Sequence, residues 1–207
     1  MFMTTHARRL IAPVAALVAV VAVLAPATAG ASSGTTVRLK GEATTLQTDR
    51  ATTKALIANG ILPLPVKPAS VGATWWDRGL SLRYTFPITG GRVDATSLAG
   101  HINHSGGLEF VNVANGHTLK LTNFRIRISA HPGLTAAVNG DPKSRVRILN
   151  LDLSTATIVK HPPTVKVDGV KATLTSTAAS ALNSSLGVHL FSAGITLGTA
   201  NVDAHIA

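Results

Sequence analysis

The sequence predicts a mainly β protein, an antiparallel β-sandwich with two short helices. From about residue 36 onward, apolar and polar residues alternate at a period of two, which is typical of strands with one buried face. Clusters of Gly, Asn, Asp and Pro separate these runs every 10 to 25 residues or so (about one turn per strand), a spacing that favours a sandwich or barrel over a βαβ protein. Two further segments carry helix caps and left-handed stops.

The strands follow from the alternation. The first lies around Val37 and Leu39, each followed by a basic residue. The second has four apolar residues on one face, namely Leu80, Leu82, Tyr84 and Phe86. Later runs lie at residues 119–121, 124–128, 146–153, 165–167, 172–174 and 195–202. The parity of the pattern changes near Asn123 and again after Ile148, and each change predicts a β-bulge.

The turns and helices complete the pattern. Turns are predicted at residues 89–91, 105–107, 115–116, 139–142 and 168–169, where residues able to adopt positive φ are concentrated. One helix is predicted over residues 50–58, capped by Thr48 or Asp49, and a second over 177–186, capped by Ser176 and stopped by Gly187. Residues 63–72 contain three prolines and are predicted to form a loop.

The N-terminus has the three parts of a signal peptide in order. His6, Arg8 and Arg9 form a basic region, and residues 10–24 are an uncharged apolar run. That run is too short to span a bilayer, which needs about 20 residues. Small residues follow, and cleavage is predicted after Ala29 or Ala31. We therefore assign residues 1–31 to the signal peptide and 32–207 to a single domain that is secreted, works outside the cytoplasm and has no transmembrane segment after processing.

Charge and cysteine content narrow the function classes. Loss of the two leader arginines lowers the net charge from +10 to +8. The densest basic group is Lys143, Arg145 and Arg147, which alternate and so line one strand face. A solvated strand face in contact with anionic envelope polymers explains this better than nucleic acid, for which neither a recognition motif nor interleaved aromatics occur. The sequence contains no cysteine, which excludes disulfides and thiolate chemistry.

Enzyme motifs are missing from the sequence: it has no G-x-S-x-G elbow, H-E-x-x-H, P-loop or dinucleotide fingerprint. We expect a protein that is not an enzyme and that has no metal site. His101 and His104 are three residues apart, so on a strand they point to opposite faces, with His104 on the apolar side. Trp75 and Trp76 are adjacent, so one ring is expected to be exposed.

Several of these segments together resemble one family. The stretch 100–108 (GHINHSGGL), the strand 146–154 (VRILNLDLS) and the tail segments 170–175 and 191–194 are similar to the HtaA-type domain of secreted actinobacterial haem-uptake proteins. The resemblance extends from about Leu46 to Val202. It implies a β-sandwich with short helices, and haem bound through a tyrosine on the early helix with a motif histidine beside it.

Carried over residue by residue, the resemblance assigns the motif histidine to His104. The early helix of this chain has no tyrosine, and the only tyrosine, Tyr84, is predicted on a strand. His104 and Tyr84 are therefore the candidate haem-binding residues, in a pocket where the 100–107 turn meets the early helix around Leu56. The resulting hypothesis is a secreted binding module for haem or another apolar ligand. The alternative is a cell-envelope structural or adhesive domain without a small-molecule site.

Overall fold

The computed structural model describes residues 34–76 and 79–207; the predicted signal peptide lies outside these ranges. Residues 34–207 form one compact unit. It contains twelve strands and two helices: β1 (Thr36–Thr48), α1 (Arg50–Ala58), β2 (Ile61–Val66), β3 (Ser70–Trp76), β4 (Gly79–Asp94), β5 (Gly100–His104), β6 (Gly107–Asn112), β7 (Thr118–Ile128), β8 (Gly133–Val138), β9 (Asp141–Asp152), β10 (Thr157–His161), β11 (Thr164–Leu174), α2 (Ser176–Leu186) and β12 (Thr196–Ile206).

Eight of the strands form a closed antiparallel ring in the order β7-β5-β4-β1-β12-β11-β9-β8, with β8 pairing back to β7. The remaining strands extend it: β6 and then β2 continue from β7, β3 pairs with β4, and β10 pairs with β11. The prediction of a mainly β protein with two helices is confirmed. The strands belong to one closed sheet, however, and not to the two separate layers that define a sandwich.

The helices form where local capping signals predicted them. Asp49 caps α1 by accepting a hydrogen bond from the Thr52 amide at 3.0 Å, and α1 covers the nearest parts of β2 and β4. The cap of α2 is Thr175 and not the predicted Ser176, with Gly187 in the left-handed conformation at the other end. Helix α2 packs against β6, β7 and β9. No helix in the described ranges has the length and hydropathy to cross a membrane.

Two predicted turns and the predicted loop are wrong. Gly90 and Gly169 lie inside the long strands β4 and β11, where each stands at a shift in the pairing register. Residues 63–72, which were predicted to form a loop, include the last four residues of β2 and the first three residues of β3. Proline is tolerated in β2 because this strand is an edge of the sheet.

The predicted bulges are confirmed. The register of β7 against β8 shifts between Thr122 and Arg125, around Asn123 with φ of +51°. The register of β8 against β9 shifts beside Ile148. At both places one extra residue lets two successive stretches of a strand keep their apolar side chains inside.

The interior holds two apolar clusters. The larger one lies under the two helices and includes the aromatic residues Tyr84, Phe86, Phe110, Phe124 and Phe191. The smaller cluster is aliphatic, built around Leu39, Ile88, Ile102 and Val202. Phe86 packs edge-on against Phe124 with ring centroids 5.0 Å apart, which fixes the centre of the larger cluster.

Candidate functional site

His104 lies at the end of β5 and points into the ring, whereas His101 faces outward, as their spacing predicted. His104 is only 4% exposed. Its Nε2 lies 2.7 Å from the Thr44 hydroxyl and its Nδ1 lies 3.3 Å from the Phe124 carbonyl oxygen. Because a carbonyl can only accept, Nδ1 carries the proton and Nε2 accepts from Thr44. Both ring nitrogens therefore already have partners within the protein.

The imidazole is held neutral. Burial among apolar side chains lowers the pKa of His104 to about 4, and the hydrogen bond to Phe124 opposes this only in part. A neutral histidine is the form that coordinates iron. To do so, His104 would have to give up its bond with Thr44.

Tyr84 lies on β4 and is 1% exposed. Its hydroxyl donates a 2.6 Å hydrogen bond to the Pro63 carbonyl of β2, and its ring stacks on Phe86 at 6.3 Å. Burial raises the pKa of the Tyr84 phenol well above its usual range. As the protein stands, Tyr84 is a neutral phenol that ties the edge strand β2 to β4.

The structure does not bring His104 and Tyr84 into one pocket. His104 lines a cavity of about 70 Å³ inside the ring, together with Thr44, Phe86, Phe124, Leu174 and Leu182. Tyr84 lies on the other side of Phe86 and does not line this cavity. Small-molecule sites usually measure about 300–1,000 Å³. The ring interior is therefore too small for haem.

At Gly106, the predicted 100–107 turn packs against the connection between β2 and β3. A side-chain carbon at Gly106 would lie 2.6 Å from the Ala69 nitrogen and 2.7 Å from the Val66 oxygen, so this turn packs on the connection between β2 and β3. Leu56 of α1 is buried in the same cluster as Ala69 and Tyr84. The backbone around Gly106 and the side chain of Leu56 are both closely packed, and a ligand pocket between them stays a prediction.

An open apolar surface lies instead on the β3–β4 hairpin. Val71, Ala73 and Trp75 pair with Tyr84, Leu82 and Leu80, respectively, so all six side chains share one face of the hairpin. We call Val71, Ala73, Trp75, Leu80 and Leu82 the hairpin face. Trp75 is 74% exposed and Val71 42% exposed, while Tyr84 at the inner end is buried. The expected exposure of one tryptophan is confirmed.

The sequence contained a pattern that predicts this strand, but residues 63–72 were predicted to form a loop and two residues of the pattern, Val71 and Gly72, fell inside it. Val71, Ala73 and Trp75 alternate with Gly72 and Thr74 at the period of a strand. Two exposed apolar side chains, Val71 and Trp75, flank the small Ala73. Within the described ranges, no group of three or more His, Asp or Glu side chains is placed to hold a metal ion.

Comparison with known proteins agrees with this fold. The HtaA family model matches residues 30–186. The crystal structure of the C-terminal domain of HtaA from Corynebacterium glutamicum is similar with a TM-score of 0.57 and 16% identity, covering 82% of this chain and 99% of that one. A domain-swapped variant of the same domain gives 0.52 and 16% identity, covering 76% and 92%.

A third structure, of the haem-binding protein HtaB from the same organism, gives a TM-score of 0.48 and 13% identity, covering 84% of this chain and 96% of that one. No curated protein matches the sequence. At these identities the structural likeness establishes the fold alone. Evidence for a shared family comes from the match of the family model to residues 30–186.

Proposed function

Because the chain belongs to the HtaA family, we propose that it is a secreted, non-enzymatic binding module that takes haem or another flat apolar molecule on the hairpin face. The observation that carries this proposal is the 74% exposure of Trp75 on the face that also holds Tyr84. An exposed indole flanked by aliphatic side chains is a stacking surface for a planar ring.

The dimensions of the hairpin face suit such a ligand. Val71 and Trp75 are four residues apart, which at about 3.3 Å per residue corresponds to roughly 13 Å along the strand. Leu80 and Leu82 on the neighbouring strand widen the surface by about 5 Å. A flat polycyclic ligand can therefore cover Trp75 and Val71 together, with its centre over Ala73.

Iron coordination by Tyr84 or His104 stays a prediction. Tyr84 is the nearer of the two to the hairpin face, because it pairs directly with Val71. Coordination would replace its hydrogen bond to Pro63 and would require the phenol to ionise. His104 lies farther inside, beyond Phe86.

A haem titration of the purified protein followed by absorbance tests the proposal. We expect Trp75→Ala to weaken binding about tenfold or more, since burying a large apolar side chain contributes about 1.5–3 kcal/mol and 1.4 kcal/mol corresponds to tenfold. The matched control is Ile158→Ala, which removes an apolar side chain that is 45% exposed on β10. Equal affinities of wild type and Trp75→Ala would refute the hairpin face as the site.

Two further variants separate docking from coordination. Tyr84→Phe and His104→Ala are titrated in parallel, and their Soret maxima are compared with the wild-type maximum. A shifted maximum in one variant assigns that residue as the iron ligand. Unchanged maxima in both variants would eliminate both residues as ligands while leaving the Trp75 result to decide the docking surface.

The alternative is a cell-envelope structural or adhesive domain without a small-molecule site. The small cavity of about 70 Å³ inside the ring favours it, since this space is much smaller than a usual small-molecule site. The same titration distinguishes the two functions. A wild-type protein that gives no defined Soret band at any haem concentration would replace the binding module with the structural domain.

Secretion is part of the proposal and has its own test. The proposed leader has the basic, apolar and small-residue regions that signal peptidases recognise. Intact-mass measurement of protein from the culture medium should give a chain beginning at Gly30 or Ser32. Recovery of the uncleaved chain from the membrane fraction would contradict this.

A further inference from the structure

Six arginines lie on the outer surface of the ring, on β1, β4, β7 and β9. Directly opposed residues form a row across four strands: Arg38 pairs with Arg92, Arg92 with His101, and His101 with Arg127. Directly opposed residues lie on the same side of a sheet. At about 4.8 Å between strands, this row extends over roughly 14 Å.

A second row lies two residues along the strands. Arg125 pairs with Thr135, which pairs with Arg147. Arg145 is two residues from Arg147 on β9, and its guanidinium reaches the Thr135 hydroxyl at 3.2 Å. We call Arg38, Arg92, Arg125, Arg127, Arg145 and Arg147 the arginine belt.

Neutral groups hold three of the belt arginines in place. Arg125 donates to the Asn103 side-chain oxygen at 2.8 Å, Arg145 to the Asn123 carbonyl at 2.7 Å and Arg147 to the Pro132 carbonyl at 2.8 Å. The ion pairs of the described ranges are Lys166 with Asp203 and His205 with Glu42, and neither includes a belt residue. The guanidinium groups of Arg125, Arg145 and Arg147 are therefore held by neutral partners, and no belt arginine forms an ion pair within the described ranges.

The belt arginines act electrostatically on His101, which lies among them. Burial and then the nearby guanidinium groups of Arg125, Arg92 and Arg127 lower the pKa of His101. Asp94 is two residues from Arg92 and is ionised, but its carboxylate is directed to the Thr96 and Ser97 amides and the Ser97 hydroxyl and forms no ion pair with a belt arginine. Like charges directly opposed on a sheet are destabilising, and an anion bound across them would remove that cost.

We propose that the arginine belt is a docking surface for an extended polyanion with repeating phosphate groups. Residues two apart on a strand are separated by about 6.7 Å and neighbouring strands by about 4.8 Å, so several phosphates of one extended chain can reach belt arginines at the same time. Arginine is suited to this partner because its planar fork binds phosphate oxygens in pairs.

The surroundings of the belt favour a phosphate polymer over nucleic acid or a membrane. Single-stranded nucleic acid is usually bound with aromatic side chains that stack on the bases. The belt arginines are on β1, β4, β7 and β9, with β5 and β8 between them. The Phe, Tyr and Trp residues of these six strands are Tyr84, Phe86 and Phe124, and all three are buried. The exposed large apolar side chains of the described ranges lie outside these strands, so the belt has nothing to insert into a lipid layer.

The experiment measures binding of the purified protein to fluorescein-labelled inorganic polyphosphate by anisotropy, between about 50 and 200 mM salt. The belt variant is Arg92→Gln with Arg127→Gln. The matched control is Lys54→Gln with Lys67→Gln, which removes the same charge from exposed positions on α1 and after β2. Unlabelled polyphosphate, polyglutamate and oligothymidylate of equal charge serve as competitors, and circular dichroism checks that each variant is folded.

We expect the belt variant to bind at least tenfold more weakly than wild type and the lysine variant to lose less than threefold. The slope of log affinity against log salt should become shallower by about 1.5 in the belt variant, since each lost phosphate contact removes roughly 0.7. Equal losses in the two double variants would overturn the proposal, because net charge alone would then explain binding. Stronger competition by oligothymidylate or polyglutamate than by polyphosphate would overturn the choice of partner.

Discussion

The neutral His104 inside the ring predicts how the stability of the domain changes with pH. In the unfolded chain His104 has its ordinary pKa of 6.5, and in the folded protein burial lowers it to about 4. Between these two values the unfolded chain binds the proton and the folded protein does not. Stability is therefore complete above pH 6.5 and is lost as the pH falls toward 4.

The size of the effect follows from the two pKa values. One unit of pKa difference corresponds to 1.36 kcal/mol. Integrating the linkage relation from pH 7 to pH 4.5 gives a loss of about 2.5 kcal/mol in the free energy of unfolding. This is a large share of the roughly 5–15 kcal/mol that usually holds a domain folded.

The contributions of other titrating groups to the pH dependence of stability can be distinguished from that of His104. The pKa of His101 is also lowered, chiefly by burial, so its contribution has the same sign in the same range. Four carboxylates with lowered pKa values lose their contribution as the pH falls below their ordinary value of 3.8, which is beneath the His104 window: Asp94, Asp141, Asp152 and Asp203.

The assay is urea denaturation at pH 7, 6, 5 and 4.5 or so, with the free energy of unfolding extrapolated to water. His104→Gln keeps an amide able to bond with Thr44 but cannot titrate, so its stability should vary much less over this range. His101→Gln is the matched control and should keep most of the wild-type slope. If His104→Gln retains the full wild-type dependence on pH, the reasoning from the buried imidazole is wrong.

Three further predictions concern the fold. Tyr84→Phe leaves the Pro63 carbonyl without its donor, and we expect it to destabilise the domain by about 1–3 kcal/mol in urea denaturation; an unchanged midpoint would contradict the role of this bond. Gly198→Ala places a methyl group 2.1 Å from the Gln47 carbonyl oxygen and should lower the melting temperature sharply, whereas Gly72→Ala, where the added carbon meets nothing within 4 Å, should have little effect. Because the sequence has no cysteine, the melting temperature should be the same with and without reducing agent.

Helix α1, the bulge at Asn123 and the directions of His101 and His104 could be predicted from neighbouring residues in the sequence. Helix α1 has its predicted bounds because Asp49 caps its first turn and Asn59 and Gly60 end it. The bulge at Asn123 was predicted because a one-residue slip reverses the side-chain alternation. The outward direction of His101 and the inward direction of His104 followed from the same period of two.

Elements that depend on distant partners could not be predicted in this way. The glycine pair at 90–91 and the single Gly169 suit either a turn or a bulge, since both use residues tolerant of unusual φ. Only the partner strands decide between the two. Likewise β2 is a strand because its edge position tolerates Pro63 and Pro65, which no local pattern reveals.

The candidate site shows the same division. The sequence identified His104, Tyr84 and the Trp75–Trp76 pair, but the bond between His104 and Thr44 links residues 60 positions apart. Phe86 separates His104 from Tyr84, and this separation depends on how β4 and β7 pack across the ring. The ring is closed by the pairing of β7 with β8. These two strands are also the ends of the series of paired strands β7-β5-β4-β1-β12-β11-β9-β8, and no local sequence pattern shows that the ends meet.

The position of β12 also determines when the domain can fold during its synthesis. β12 is the last ring strand to be made, yet it pairs with β1, the first, from Leu39 opposite Ile206 to Thr48 opposite Gly198. At about 5–20 residues per second, the ribosome needs roughly 10–30 s to proceed from Thr36 to Thr196. Throughout that interval one edge of β1 lacks its partner, so the nascent chain cannot close its ring before its final strand emerges.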